Sequence, residues 1–232
     1  MLHVLAQIQT RNRTGGTCEA NNGFCPDWIA DNYDRYIDPF LQHVFLTVVS
    51  VSIGFAIAFG LALLAHRKRW LLPAFSGASE VLYAIPSVAL FLLLLPVTGR
   101  GTLTGLVALV SYTLIFIFVN VTTGLDGVPE DSVDAARGMG LTERQLLWRV
   151  EVPLALPEIF AGLRIATTTT VGLAALAFFA GAGGLGEEIT RDKGFQSNIA
   201  VAGGLAVLLA LVLDLLILFV QRLMTPWRRA AA

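Results

Sequence analysis

Charged side chains are scarce in this chain. Asp, Glu, Lys and Arg make up 14% of its 232 residues, whereas 55% are hydrophobic. Soluble domains carry about 25% charged residues, so the composition excludes an ordinary soluble domain and predicts an all-α integral membrane protein. The formal net charge is -1, and no basic run resembles the footprint of a nucleic-acid-binding protein. We therefore expect no nucleic-acid partner.

Cysteine and histidine are also rare, which limits the chemistry. The spacing of Cys18 and Cys25 is not CxxC, and no histidine accompanies them, so we expect no metal site. Two alternatives stay open for these cysteines: a disulfide, if the N-terminus faces an oxidising side, or two free thiols. The histidines His3, His43 and His66 do not cluster, and no nucleophile–base set accompanies them, so we do not expect an enzyme. The phosphate-binding pattern GxxxxGK[ST] does not occur, so we expect this chain to bind no ATP and no other cofactor.

Five apolar stretches are long enough to cross a bilayer, which takes about 20 residues. They cover residues 44–65, 81–99 with an apolar run that reaches back to residue 70, 101–125, 165–186, and 194–213 with an extension to 220. Because lipid offers no hydrogen bonds, each stretch is predicted to be helical. The segment 70–97 is long for one span. We favour one span bent at Pro86, since proline kinks a helix, and a re-entrant turn plus a span is the alternative.

The distribution of basic residues predicts the orientation. Five spans place the two termini on opposite sides, and the side richer in Lys and Arg is cytoplasmic. One side holds nine of these residues, namely Arg67, Lys68, Arg69, Arg137, Arg144, Arg149, Arg222, Arg228 and Arg229, and the other holds six. We therefore expect the N-terminus outside and the C-terminus inside. The predicted organisation is an extracytoplasmic arm (1–40), a transmembrane domain (41–226) with a cytoplasmic loop (126–156), and a cytoplasmic tail (227–232).

The cytoplasmic loop is predicted to form two short helices around a glycine turn. The first runs over residues 129–137 and ends at Gly138 and Gly140, which offer a left-handed stop. The second begins at Thr142, where Gln145 completes a Thr-x-x-Gln capping box. Two such helices would form a rigid element on the membrane surface.

The same loop carries a spaced motif. Asp134-Ala135-Ala136 is followed by Gly140 and then by the closing run Val150-Glu151-Val152-Pro153, and we expect Pro153 and Pro157 to end the second helix. This layout resembles the EAA loop of ABC importer permeases, with Asp134 where the family motif has Glu. Because Ala135 and Ala136 have little bulk, we expect them to allow close approach to a groove of a partner. The residues implied to form this ATPase-coupling loop are Asp134, Ala135, Ala136, Gly140, Leu141, Val150 and Pro153.

The resemblance also implies an assembly. It predicts a MetI-like ABC permease fold in a bacterial-type plasma (inner) membrane, in contact with membrane lipid. The expected partners are an ABC ATPase that carries the ATP and Mg²⁺, a second permease copy, identical or not, and an extracytoplasmic substrate-binding protein.

Further segments resemble permeases for osmoprotectants such as glycine betaine, carnitine and choline. They are Ile85-Pro86-Ser87-Val88-Ala89-Leu90, Ala161-Gly162-Leu163-Arg164 and Gly183-Gly184-Leu185-Gly186. The resemblance implies import of such a solute. The alternatives are a permease for another small solute, such as methionine, and an ion-coupled secondary transporter.

Three ionisable residues fall inside the apolar segments, where such groups are functional candidates. Arg164 and Asp214 are predicted at equal depth, roughly 10 Å from the cytoplasmic face, so we expect an ion pair, either a structural clamp or a gate. Glu80 is expected either to line the pathway or to lie near cytoplasmic water. The candidate pathway residues are Glu80, Tyr83, Pro86, Ser87 and Asn120.

Overall fold

The regular structure is entirely helical throughout the residues that the computed structural model describes, 22–192 and 194–227. The α-helices are α1 (Pro26–Asp31), α2 (Ile37–Arg67), α3 (Leu72–Ala84), α4 (Ser87–Thr98), α5 (Thr102–Asp126), α6 (Glu130–Gly138), α7 (Glu143–Leu146), α8 (Val152–Ala174), α9 (Leu185–Arg191) and α10 (Gln196–Met224). Shorter helical turns cover Tyr33–Tyr36, Arg69–Leu71, Ala177–Ala180 and, as a π-helix, Leu147–Glu151. The predicted all-α membrane class is confirmed.

Three single helices within the described ranges are long and apolar enough to cross a membrane: α2 with the turn before it, α5 and α10. The pair α3–α4 meets the same test only when it is taken together. Helix α8 has 23 residues, which is long enough, but it carries Glu158 and Arg164. The count of five spans and the orientation of the termini stay predictions.

Segment 70–97 forms two helices rather than the single bent helix that we favoured. The axes of α3, with its preceding turn, and α4 meet at 99°, far beyond an ordinary proline kink. Ile85 and Pro86 both have extended backbone angles, with ψ of 126° and 131°. Proline disfavours helical geometry at the preceding residue, so the helix ends at Ala84 and a new one begins at Ser87.

The fourth predicted span, 165–186, is displaced. The structure has one helix from Val152 to Ala174, and the second half of the predicted span is a short helical turn and a glycine turn. Pro153 and Pro157 therefore do not separate the loop from the membrane helix. Pro153 lies in the first turn of α8, directly after the π-helix Leu147–Glu151, and the backbone is helical from the loop into the span without a break.

Helix α5 lies at the centre of the described fold, with α2 and α8 packed against it. Small residues allow the close approach. A methyl carbon added at Gly162 of α8 would lie 2.6 Å from Asn120 Cβ of α5, and one at Gly54 of α2 would lie 1.7 Å from Thr113 Oγ1. Helix α3 joins α5 through aromatic rings, whereas α10 packs mainly on α8 and α9 and leaves most of its apolar surface exposed.

Candidate functional site

A tight glycine turn joins α6 and α7, the two helices of the loop at residues 126–156. Gly140 has a φ of +82°, a conformation that glycine adopts without strain. Its N–H donates to the Arg137 carbonyl at 2.9 Å, and the Leu141 N–H donates to the Ala136 carbonyl at 3.2 Å. The predicted stop at Gly140 is confirmed. The expectation for Gly138 is wrong, because this residue is still helical and closes the last turn of α6.

The capping box predicted at Thr142 is confirmed. The Gln145 side chain accepts a hydrogen bond from the Thr142 N–H at 2.9 Å, and Thr142 Oγ1 accepts one from the Gln145 N–H at 3.4 Å. Leu146 is fully buried, which anchors the short helix on the membrane domain. The second helix of the loop is therefore held in one orientation by its capping box and by the buried Leu146.

The two alanines of the motif face different ways. Asp134 and Ala135 are exposed on α6, but Ala136 is 1% exposed and packs inside the chain. The expectation that both alanines admit a partner is therefore wrong for Ala136, whose small size serves the packing of α6 on its own chain. Beneath it lies a groove of about 360 Å³ whose lining includes Ala136, Met139, Val150, Pro153 and Trp227.

Arg164 and Asp214 form a bidentate ion pair between α8 and α10. The Nε–Oδ1 distance is 2.7 Å and the Nη2–Oδ2 distance is 2.8 Å, with side chains 35% and 23% exposed. Measured along the helix axes, Arg164 lies about 18 Å from the start of α8 and Asp214 about 15 Å from the end of α10. The predicted depth of the pair in the membrane stays a prediction.

Four of the five candidate pathway residues lie together at the α3–α4 break. Glu80, Tyr83 and Pro86 are exposed and Ser87 is half-buried. The Tyr83 ring meets the rings of Tyr112 and Phe116 of α5 edge-on, at 5.9 and 5.2 Å. A role of this group in a pathway stays a prediction.

Asn120 is the exception among the candidate pathway residues. Its Nδ2 donates to the Phe116 carbonyl one turn earlier at 2.7 Å, and its Cβ faces Gly162 of α8. The Asn120 amide is therefore bonded within α5, and its Cβ packs at the α5–α8 contact. Both observations argue against the predicted pathway role.

Comparison with known proteins decides the family. Residues 39–230 match the family model for the binding-protein-dependent transport system inner membrane component. The chain belongs to this family. As an inner membrane component, it works with an ATPase and a substrate-binding protein.

Individual relatives resemble this permease over most of its length. It is 37% identical to an osmoprotectant import permease protein of Salmonella typhimurium over 86% of this chain and 96% of the relative. It is 33% identical to a carnitine transport permease protein of Listeria monocytogenes over 80% and 86% of the two chains. A solved inward-facing structure of a methionine ABC transporter matches with a TM-score of 0.68 and 26% identity, over 85% of this chain and 96% of that one.

A cluster of charged groups near the loop escaped the sequence analysis. His66 Nε2 lies 3.2 Å from Glu151 Oε2, and His66 Nδ1 lies 3.7 Å from Asp126 Oδ1. Arg69 Nη1 also pairs with Asp126 Oδ1 at 2.7 Å. His66 and Asp126 lie at the ends of their helices and Glu151 lies just before α8, and this position next to an apolar segment is the signal that the sequence offers.

The described part of the N-terminal arm packs on the junction between α9 and α10. The Cys25 N–H donates to Ser197 Oγ at 2.8 Å, and Trp28 meets the Phe195 ring edge-on at 4.7 Å. Arg35 pairs with Asp192 at 2.9 Å. Cys25 is buried and is not a free thiol.

The proposed partner of Cys25 in a disulfide, Cys18, lies outside the described residues. The Cys18–Cys25 pairing therefore stays a prediction.

Proposed function

We propose that this permease imports a quaternary-amine compatible solute, such as glycine betaine, carnitine or choline, with ATP and Mg²⁺ bound by a partner ATPase. The observation that carries the mechanism is the continuity of the coupling loop with α8 through the π-helix Leu147–Glu151. Relatives that are 31–37% identical are permeases for osmoprotectants, carnitine, choline and glycine betaine, and this supports the substrate class.

Force from the ATPase would enter at the exposed face of α6, at Asp134 and Ala135. The glycine turn and the capping box make this part of the loop a stiff element, so that it moves as a unit. Because the chain is helical without a break from Glu143 to Ala174, displacement of the loop tilts or shifts α8. The bidentate contact between Arg164 and Asp214 then carries the movement to α10.

The pathway is proposed to run along the α3 face that carries Glu80. A carboxylate that faces lipid costs about 2.5–3.5 kcal/mol at the centre of a span, so an exposed Glu80 favours an aqueous or protein environment. The charge also complements a cationic solute. Helix α10 exposes an almost continuous apolar surface, which suits lipid. We therefore place the second permease copy on the α3–α4 side and lipid on the α10 side.

The experiment is solute import and ATP hydrolysis by the complex reconstituted with its ATPase and binding protein. Gly140→Pro forces a φ near −65° on a residue that has +82° and removes a donor at 2.9 Å from the Arg137 carbonyl. Gly138→Ala is the matched control, because nothing lies within 4 Å of an added methyl carbon there. We expect glycine betaine to stimulate hydrolysis in the wild type and in the control, and not in Gly140→Pro.

Two results would count against the proposal. A Gly140→Pro complex that assembles and responds normally would show that the loop does not transmit the movement. Stimulation by methionine in place of quaternary amines would replace the substrate class, and the 26% identity to the methionine transporter makes methionine the appropriate competitor.

A further inference from the structure

We propose that His66 is a positioning residue that transmits movement of the coupling loop to α2 and α5 through its contact with Glu151. This inference rests on the proposed transport function and adds a second mechanical route to the one through Arg164. It concerns a histidine that none of the motifs contains.

Three chain segments converge at His66. The histidine lies in the last turn of α2, Asp126 is the last residue of α5, and Glu151 is the last residue of the π-helix that leads into α8. The distances are 3.2 Å from His66 Nε2 to Glu151 Oε2 and 3.7 Å from His66 Nδ1 to Asp126 Oδ1. The imidazole ring thus joins the loop to the end of α2, and the end of α5 lies beside the same ring.

The contact is shielded from water. The His66 side chain is 16% exposed and the Glu151 side chain 13%, whereas the Arg137–Glu143 pair in the same loop is 53% and 77% exposed. Exposed pairs of that kind contribute little, because solvent screens them. A shielded hydrogen bond to a charged group has a larger effect and a defined geometry.

The chemistry of the ring fixes which atom makes the link. A carboxylate only accepts hydrogen bonds, so Nε2 carries the proton toward Glu151. Nδ1 is buried and makes no hydrogen bond within the part of the chain that the structure describes. The ring is therefore held from one side by Glu151, while Asp126 lies just beyond hydrogen-bond distance on the other. A small displacement of Glu151 is enough to move the ring toward or away from Asp126.

The other contacts between the loop and α2 are apolar, and Leu147 of the π-helix lies in one buried apolar cluster with Ala62 and Ala65 of α2. The Trp148 ring of the π-helix lies 6.4 Å from the Phe59 ring in a tilted arrangement, and Trp148 is half exposed. Such a ring contact allows sliding, whereas a hydrogen bond between His66 and Glu151 does not. We infer that this bond makes α2 follow the loop.

The test replaces His66 by two amides of different reach. The Gln side chain places an N–H₂ donor near the position of Nε2, and the Asn side chain places one near Nδ1. The readout is the number of glycine betaine molecules imported per ATP hydrolysed by the reconstituted complex. We expect His66→Asn and Glu151→Ala to lower this ratio by about 5-fold or more, the lower end of typical coupling between sites. We expect His66→Gln to stay close to the wild type.

Glu143→Ala is the matched control for Glu151→Ala. It removes a loop carboxylate of the same type whose ion pair is exposed and 3.4 Å long, so the ratio should not change. An equal number of glycine betaine molecules imported per ATP in His66→Asn and the wild type would overturn the inference. An equal decrease of that number in His66→Asn and His66→Gln would overturn it as well. A variant that lowers only the amount of ATPase that co-purifies, with a normal ratio in the assembled complexes, would show a purely structural role.

If the proposed function is wrong, the wild-type complex itself hydrolyses ATP without importing glycine betaine. This result differs from a failure of the inference about His66, which appears only in the variants. In that case a second readout needs no solute. Spin labels at the exposed residues Leu64 of α2 and Leu223 of α10 report how their separation changes with nucleotide. If His66 couples the loop to α2, nucleotide changes the label separation by the same amount in the wild type and His66→Gln and by a different amount in His66→Asn. Identical changes in all three would refute it.

Discussion

The ion pair between Arg164 and Asp214 gives the sharpest prediction on stability. Replacing either residue by leucine leaves its partner charged inside the membrane domain, whereas replacing both leaves no charge. A single replacement should therefore destabilise the protein more than the double replacement does. This non-additivity distinguishes a coupled pair from two independent surface charges.

The expected magnitudes follow from the burial of the pair. An unpaired charge costs about 2.5–3.5 kcal/mol at the centre of a span, and breaking a fully buried pair costs about 3–5 kcal/mol. The side chains of Arg164 and Asp214 are 35% and 23% exposed, so we expect a lower value of about 2 kcal/mol for each single variant, reduced by solvent screening. The double variant should lie within about 1 kcal/mol of the wild type, which gives an interaction energy of about 3 kcal/mol.

The assay is unfolding of the purified permease in mixed micelles by titration with SDS, followed by tryptophan fluorescence. The same cycle on the exposed pair Arg137–Glu143 is the control and should give less than about 1 kcal/mol. Additive losses at Arg164 and Asp214 would refute the reasoning. The double variant also separates the two roles left open by the sequence, because a clamp predicts restored import, whereas a gate predicts a stable protein that does not import.

Two further predictions concern the packing of Gly186 in α9 and the orientation of the chain in the membrane. A methyl carbon at Gly186 would lie 1.7 Å from the Ala175 carbonyl oxygen, so Gly186→Ala should lower the free energy of unfolding by roughly 1–3 kcal/mol. Gly172 has open space around it, so Gly172→Ala should leave the melting temperature unchanged or raise it slightly. Equal melting temperatures of the two variants would contradict the packing argument. In intact cells a membrane-impermeant maleimide should label Asp34→Cys above the wild-type background and label Glu143→Cys only after permeabilisation, and the reverse pattern would overturn the orientation.

The features that the sequence predicted correctly depend on local chemistry. The capping box at Thr142 follows from two side chains three residues apart, and the turn at Gly140 follows from the conformational freedom of one residue. The Arg164–Asp214 pair was found because two charges in apolar segments need a partner. In each case a short-range rule or a large energetic cost left few alternatives.

The features that were missed depend on how distant segments meet. Pro86 was expected to kink one continuous helix, but α3 and α4 meet at 99° and each packs separately on α5. The continuity of the loop with α8 was missed because Pro153 and Pro157 were taken as helix ends, whereas both lie within α8. No spacing rule connects His66 with Glu151, which is 85 positions away.

The connections between helices are unequal, and this inequality determines which parts can move together. Helix α8 continues the loop, packs closely on α5 through Gly162, and holds α10 through Arg164. The pair α3–α4 is attached to α5 by ring contacts of Phe75 and Tyr83 and by the Tyr112 hydroxyl, which donates to the Ile85 carbonyl at 2.5 Å. It is interrupted at Pro86, where the backbone is extended. If His66 holds α2 to the loop, a displaced loop should move α2, α5, α8 and α10 together, and α3–α4 should reorient about its break. Because Glu80 lies on α3, this movement would change the surroundings of the carboxylate that we place along the pathway.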